Sequence, residues 1–438
     1  MTTPGRSSTV RAGVPRSRIV AWALWDCGAT GMNAIVVTFV FSVYLTGQVG
    51  AGLPGPTTPA ALLGHALTFS GLVVAVLAPA TGIWVDAPHR RRPVLATLTG
   101  LAAALTASMS LIHDDPAYLW AGLALLACTA ASSDLATVPY NAMLRDLSTP
   151  ETSGKISGFG SASGYSGTVL LLLLVYFGLI AGDGETRGLL AIPAADGWPQ
   201  RLTMLLTAAW FVVFAVPLLS RRTESPAEVA PRVGFLGAYR KLWAELTDQW
   251  RRDHNIVYYL AASAIFRDGL TGVFTFGAVL GVAVYGVSPA DVLLFGVCAC
   301  MVAAVGAVLG GLLDDRVGSK PVIVGSLSAM IVVALALTAL DGQTSFWICG
   351  LLLCLFIGPT QSSARTQMLR MTTEGKEGVA FGLYTTTGRA ASPFAPWMFA
   401  TFIAVFGTDR AGMGGLVTVL AVGLVAMLLV RTPRRLPS

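Results

Sequence analysis

The fold class predicted is an all-α integral membrane protein of twelve transmembrane helices in two six-helix, pseudo-symmetric halves. Three observations predict it. The first is composition: 438 residues, 54% hydrophobic and only 12% charged, with a mean hydropathy of +0.68. Soluble domains carry roughly 25% charged residues, so a water-soluble enzyme is excluded. The second is run length. A crossing of the hydrocarbon core takes about 20 apolar residues, and such runs fall near 19–46, 61–85, 93–112, 117–143, 156–182, 201–220, 256–285, 290–313, 321–340, 344–368, 377–406 and 411–431. The third is the placement of positive charge. With a cytoplasmic N-terminus, the outer segments hold only Arg187, Arg201 and Arg410, and Arg267 and Arg389 are left inside spans. Every other Lys and Arg of the 29, Arg145, Arg365 and Arg370 among them, falls in the inner segments. That bias puts both termini in the cytoplasm and requires an even number of spans. The net charge of +6 is therefore a topology signal and implies no nucleic-acid partner.

The elements follow in chain order. Residues 1–18 form a basic cytoplasmic segment with Arg6, Arg11, Arg16 and Arg18. The apolar run after it, Ile19 to Leu45, is too long for a signal-peptide core and lacks a small-residue cleavage pattern, so it is expected to stay as an anchor. Six spans over 19–220 make the N-terminal bundle. Residues 221–255 are read as a cytoplasmic linker in which Phe235, Leu236, Tyr239, Leu242, Trp243, Leu246 and Trp250 recur at helical spacing among Arg240, Lys241, Arg251 and Arg252. An amphipathic helix is expected there, on the membrane surface or against the inner ends of the spans. Residues 256–431 make the C-terminal bundle and 432–438 a cytoplasmic tail. Trp22, Trp25, Trp120, Trp198 and Trp397 fall near span ends, where aromatic belts are expected. The six cysteines lie in apolar runs without a C-x-x-C, so neither a disulfide nor a metal site is expected.

The two halves echo each other. The chain reads GIWVDAPHRRRP from Gly82 to Pro93 and GGLLDDRVGSKP from Gly310 to Pro321, each a Gly, an Asp and a basic cluster closed by Pro. A second echo joins MLRDLSTPETSGKISGFG (Met143 to Gly160) to MLRMTTEGKEGVAFG (Met368 to Gly382), and a weaker one joins WDCGATG (Trp25 to Gly31) to RDGLTG (Arg267 to Gly272). Such repeats are the layout of transporters that hold substrate between halves.

At these loops the sequence resembles the major facilitator superfamily, whose loop signature is G-x-x-x-D-R-x-G-[RK]-[RK]. The second copy follows it at Gly311, Asp315, Arg316, Gly318 and Lys320. The first keeps Gly82, Asp86, Arg90 and Arg91 but has Ala87 and His89 where Arg and Gly are usual. The resemblance implies an inner gate, with glycines allowing close helix contact and charge-assisted bonds holding it shut. More narrowly, Ala21 to Leu45, Pro139 to Gly167, FRDG (Phe266 to Gly269) and FGLYTTTGRAASP (Phe381 to Pro393) are similar to the vacuole-effluxer-like permeases, the branch with the autophagy-related vacuolar amino-acid exporter. Cys27 and Arg267 depart from that branch's usual Trp and Asn.

Ionisable residues inside spans are costly and mark pathways. Asp26 is eight residues past Arg18, about 12 Å along its helix, and Asp134 eleven before Arg145, about 16 Å from the inner end. The two could face each other, the arrangement a proton-coupled carrier needs; bonds to neighbours such as Ser132 or Ser133 are the structural alternative. Asp268 and Arg389 each sit about 20 Å along their helices, with Arg267 turned about 100° from Asp268. Arg389 is the first choice for a substrate-facing cation, and a structural Arg389–Asp268 pair is the alternative. Asn33, Thr38, Tyr140, Asn141 and Gln361 are further cavity candidates.

The function these features predict is secondary active transport by alternating access across the cell membrane, with no cofactor and no enzymatic activity. A small solute, an amino acid or other carboxylated metabolite by the resemblance and Arg389, is the expected substrate, with protons as a coupling partner, the bilayer as surroundings and a monomer as the assembly. A sugar–cation symporter and a drug exporter are rival readings within the superfamily. A non-transporting sensor or scaffold is the rival from another class, disfavoured because no soluble sensor domain is evident. Gly-x-Ser-x-Gly, H-E-x-x-H and Walker A sequences are all lacking.

Overall fold

The computed structural model describes residues 14–51, 58–182, 184–220 and 254–431, with Gly237, Tyr239, Arg240 and Thr247 between them. The main helices are α1 (Arg16–Asn33), extended by further helical turns to Val49, α2 (Pro59–Val85), α3 (Pro88–Ser108), α4 (Leu119–Ala142), α5 (Ser153–Val175), α6 (Trp198–Leu219), α7 (Asn255–Ala283), α8 (Pro289–Val317), α9 (Ser319–Ala339), α10 (Gln343–Met371), α11 (Glu377–Ala391), α12 (Phe394–Phe406) and α13 (Ala411–Leu429). Proline and a capping oxygen fix several starts. Thr58 accepts the Ala61 amide at 3.3 Å ahead of Pro59, and Ser288 accepts the Asp291 amide at 3.1 Å ahead of Pro289. Each satisfies an amide that the first turn leaves free.

Among the described residues, eleven helices are long and apolar enough to cross a membrane. The expected span 377–406 differs: it is two shorter helices, α11 and α12, parted at Ser392 and Pro393. Proline lacks the amide that would continue the ladder, and the Ala395 amide freed by the break is taken by Asp268 of α7 at 2.6 Å. Most of the expected linker helix (Phe235, Leu236, Lys241, Leu242, Trp243, Leu246, Trp250, Arg251 and Arg252) lies outside the described residues, as do Arg6, Arg11 and 432–438.

The outer surface is apolar as well as the interior. Phe69, Leu72, Val213, Val332 and Leu335 point outward, while Trp22, Trp25, Tyr140, Phe211 and Phe266 are fully enclosed. Trp22 and Trp25 thus leave the expected belt. Both stack on Tyr140, at 4.5 and 4.4 Å between ring centroids, which draws them into the bundle. Trp120, Trp198 and Trp397 are exposed, as a belt requires.

The two repeated loops lie at one end of the bundle, called here the motif end. There α2 packs on α11 and α5 on α8, backbone to backbone. A Cβ on Gly82 would overlap the Gly378 carbonyl, and one on Gly311 the Gly154 carbonyl, so only glycine allows this approach. At the far end a short antiparallel hairpin, β1 (Thr186–Arg187) with β2 (Ile192–Pro193), joins α5 to α6.

Candidate functional site

A cavity of about 510 Å³ lies between the helices before residue 220 and those after residue 254. Nine of the ten candidates read from sequence, Asp26, Asn33, Asp134, Tyr140, Asn141, Arg267, Asp268, Gln361 and Arg389, line it, together with Arg365 and Tyr384; the tenth, Thr38, is exposed on its helix and does not. Three arginines and three aspartates therefore share one cavity.

Their pairings are not those expected. Asp26 and Asp134 do not face one another as a carboxylate pair; each meets an arginine from the other side of the cavity. Asp26 lies 3.7 Å from Arg365 and accepts Thr30 Oγ1 at 3.1 Å. Asp134 is ion-paired to Arg389. The Arg389–Asp268 pair does not form, because Asp268 is engaged by the Ala395 amide at the α11–α12 break. Arg267 lies 3.7 Å over the Tyr384 ring and donates to the Tyr384 carbonyl at 2.9 Å. No carboxylate pairs with it among the described residues. Asn33 donates to Ser133 at 2.8 Å, and Gln361 accepts from Tyr165 at 2.9 Å, tying α10 to α5.

Arg365 is the residue that sequence reasoning missed. The expected span 344–368 already contains it, and it is grouped with the inner segments only because it lies near that span's inner end. In the fold α10 runs on to Met371, which carries Arg365 inside the bundle. Its guanidinium sits 5.6 and 5.7 Å from the centroids of Trp22 and Tyr140 and donates to Ser161 Oγ at 3.3 Å. One of its terminal nitrogens, Nη1, is buried without a partner, as is Asn141 Oδ1. Tyr140 Oη is a third such atom on a lining residue. Buried polar atoms are nearly always satisfied, so three unpaired ones around one cavity mark where a bound group would bond.

The motif end is closed by charge as well as by glycine. Asp86 accepts the Val379 amide at 3.0 Å, and Asp315 accepts those of Gly154 and Lys155 at 2.8 Å each. Each aspartate of the repeated loop thus holds the N-terminal end of a helix across the gap, where the helix dipole favours a carboxylate. Arg91, fully buried, donates to Asp146 and to Glu377, both at 2.9 Å, and Arg145 donates to Glu377 at 3.1 Å and to the Thr372 carbonyl at 2.5 Å. Arg370 pairs with Asp314, donates to Ser319 at 2.7 Å and reaches the Pro150 carbonyl at 3.1 Å. Lys320 does not join this closure. Its ammonium donates to Leu428 and Val430 carbonyls at 2.9 and 2.6 Å, the free end of α13. Arg90 is half-buried in the first turn of α3, Arg316 is exposed, and Gly318, at φ 96°, forms the turn between α8 and α9. Asp146, Glu377 and Asp314 were not foreseen. Arg145 and Arg370 stand at matching places in the MLR echo, the one sequence signal that pointed to them.

Residues 51–437 match the family described as Vacuole effluxer Atg22 like. The chain belongs to this vacuole effluxer family, an MFS-type transporter branch. Among relatives of the family member, the uncharacterized MFS-type transporter YxiO of Bacillus subtilis is 21% identical over 409 residues, 93% of each chain. Autophagy-related protein 22 of Yarrowia lipolytica is 20% identical over 289 residues, 57% of this chain and 46% of that one. The match therefore spans under half the length of that fungal relative. Of solved structures, the MFS transporter FucP in its outward conformation superposes with a TM-score of 0.71 at 12% identity, covering 95% of this chain and 100% of the other. The proton:xylose symporter XylE gives 0.71 at 15%, covering 95% and 96%. At such identities the likeness shows the fold.

Proposed function

We propose that this vacuole effluxer family member is a secondary active transporter that moves a small carboxylated solute of the amino-acid type by alternating access. The observation that carries the reading is the unpartnered Nη1 of Arg365, buried in the cavity above Trp22 and Tyr140. A guanidinium offers a planar fork that matches a carboxylate, and Arg267, met by no carboxylate among the described residues, is a second cation in the same space. Asp26, 3.7 Å from Arg365, is the proton-coupling group: a substrate carboxylate on Arg365 frees Asp26 to take a proton. Charge at six lining positions favours an ionic solute over the sugars that FucP and XylE carry.

In this reading the chain makes twelve crossings, the α11–α12 pair supplying the twelfth. The two bundles, 19–220 and 256–431, are joined by the 221–255 linker, and both termini are cytoplasmic. The motif end, rich in Lys and Arg, faces the cytoplasm. The closed motif end then makes this the outward-facing state, in the cell membrane, of a monomer.

The test is uptake into proteoliposomes of amino acids, organic acids and sugars, with and without a proton gradient. Gradient-driven accumulation of a carboxylated solute is expected, with Arg365→Lys weakening half-saturation at least about tenfold, or ~1.4 kcal/mol, and Asp26→Asn keeping exchange but losing accumulation. Flux of neutral sugars alone, or of nothing, overturns the reading.

A further inference from the structure

The hairpin between α5 and α6 carries an apolar tip that does not line the cavity. Leu189 and Leu190 are 85% and 67% exposed, consecutive, and held outward by left-handed backbone on either side, Gly188 at φ 66° and Ala191 at φ 50°. The tip is not a free loop. It folds back onto the last turn of the span Ser153–Ile180, where the Leu189 amide donates to the Phe177 carbonyl at 2.9 Å and the Leu190 amide to Gly178 at 3.2 Å. Gly188 donates to Ala181 at 2.7 Å and Ala191 to Gly188 at 3.1 Å. Four successive amides are thus satisfied inside the protein. A Cβ on Gly188 would overlap the Gly178 peptide, so only glycine lets the tip lie against the helix end.

We propose that this tip is a membrane-interface anchor, with Leu189 and Leu190 seated at the boundary between lipid headgroups and acyl chains at the far end. Three observations select lipid as the occupant. The carbonyls that hold the tip belong to a membrane-crossing helix, which sets its depth at the last turn of that span. Leu170, Leu173, Leu174 and Phe177 of the same helix are outward-facing, and Tyr176 and Phe177 supply the aromatic pair usual at an interface. Irregular backbone tolerates that depth only when its polar groups are met internally, and the tip's four amides are.

The experiment uses full-length protein in phosphatidylcholine proteoliposomes, on a background lacking Cys128 and Cys298. A nitroxide is placed at Leu190→Cys or, as a water-exposed control, at Glu185→Cys, and its collision with oxygen and with a water-soluble nickel chelate is measured. The anchor predicts a several-fold higher oxygen-to-nickel ratio at 190 than at 185. Nickel access at 190 equal to that at 185 overturns it in favour of an aqueous tip. Protection from both reagents overturns it in favour of contact with protein, a second copy included. Adding Gly188→Ala is expected to raise nickel access at 190; an unchanged ratio contradicts the backbone anchoring on which the depth rests.

Discussion

Glu377 and Arg389 show how burial ranks two cross-cavity contacts. The Arg91 and Glu377 side chains are 2% and 1% exposed, so removing one partner strands a charge out of water. Breaking such a buried pair costs roughly 3–5 kcal/mol. Arg389, 40% exposed in its pair with Asp134, is nearer the range of about 0–1 kcal/mol for solvated pairs. Glu377→Gln should therefore lower the thermal midpoint in detergent by several degrees, whereas Arg389→Lys should leave it nearly unchanged. An equal drop for both would show that burial is not what separates them. What was legible at this scale follows from cost. An ionisable residue in a span is rare enough to stand out, so Asp26, Asp134, Asp268, Arg267 and Arg389 were visible before any fold. Their partners were not. A rise of 1.5 Å per residue gives depth, but which neighbour a side chain meets depends on helix rotation and packing, and Asp134 found Arg389 while Asp268 found an amide.

Among the helices, the glycine contacts at the motif end and the break in the eleventh span make separate predictions. Gly311→Ala places a methyl group against the Gly154 carbonyl, so α5 and α8 must move apart. Cysteine labelling from the motif end should become faster in this variant while secondary structure is kept. Asp268 caps α12 through the Ala395 amide. Asp268→Asn keeps an acceptor there and Asp268→Ala does not, so the alanine variant should be less stable than the asparagine one by about 1 kcal/mol, read from unfolding midpoints. The repeated loops were legible because Gly and Asp recur at matching places in the two halves. The break at Pro393 had a local signal, a proline inside an apolar run, which run length alone overrode. Arg365 was misplaced for a different reason: it falls within the expected span 344–368 but so near its inner end that it was grouped with the loop charges.

Over the whole molecule, the proposed alternating access would make closure at one end and a cavity between the two sets of helices a single state of its cycle. The Asp86, Asp315 and Glu377 contacts all lie at the motif end and all join helices from opposite sides of the cavity. Under that proposal, loosening them should open that end and close the other. The helical, membrane-spanning layout was legible from composition and run length, since a hydrocarbon core restricts the chain to helices of known length. Which end is shut was not, because both conformations use the same spans.

The most direct test of alternating access is a pair of spin-label distances measured in lipid, one across each end. Labels at Glu151→Cys and Thr373→Cys report the motif end, and labels at Glu185→Cys and Thr344→Cys the far end. With Glu377→Gln added, the motif-end distance should lengthen and the far-end distance shorten together. Two distances that stay fixed, or that change in the same sense, would contradict the account.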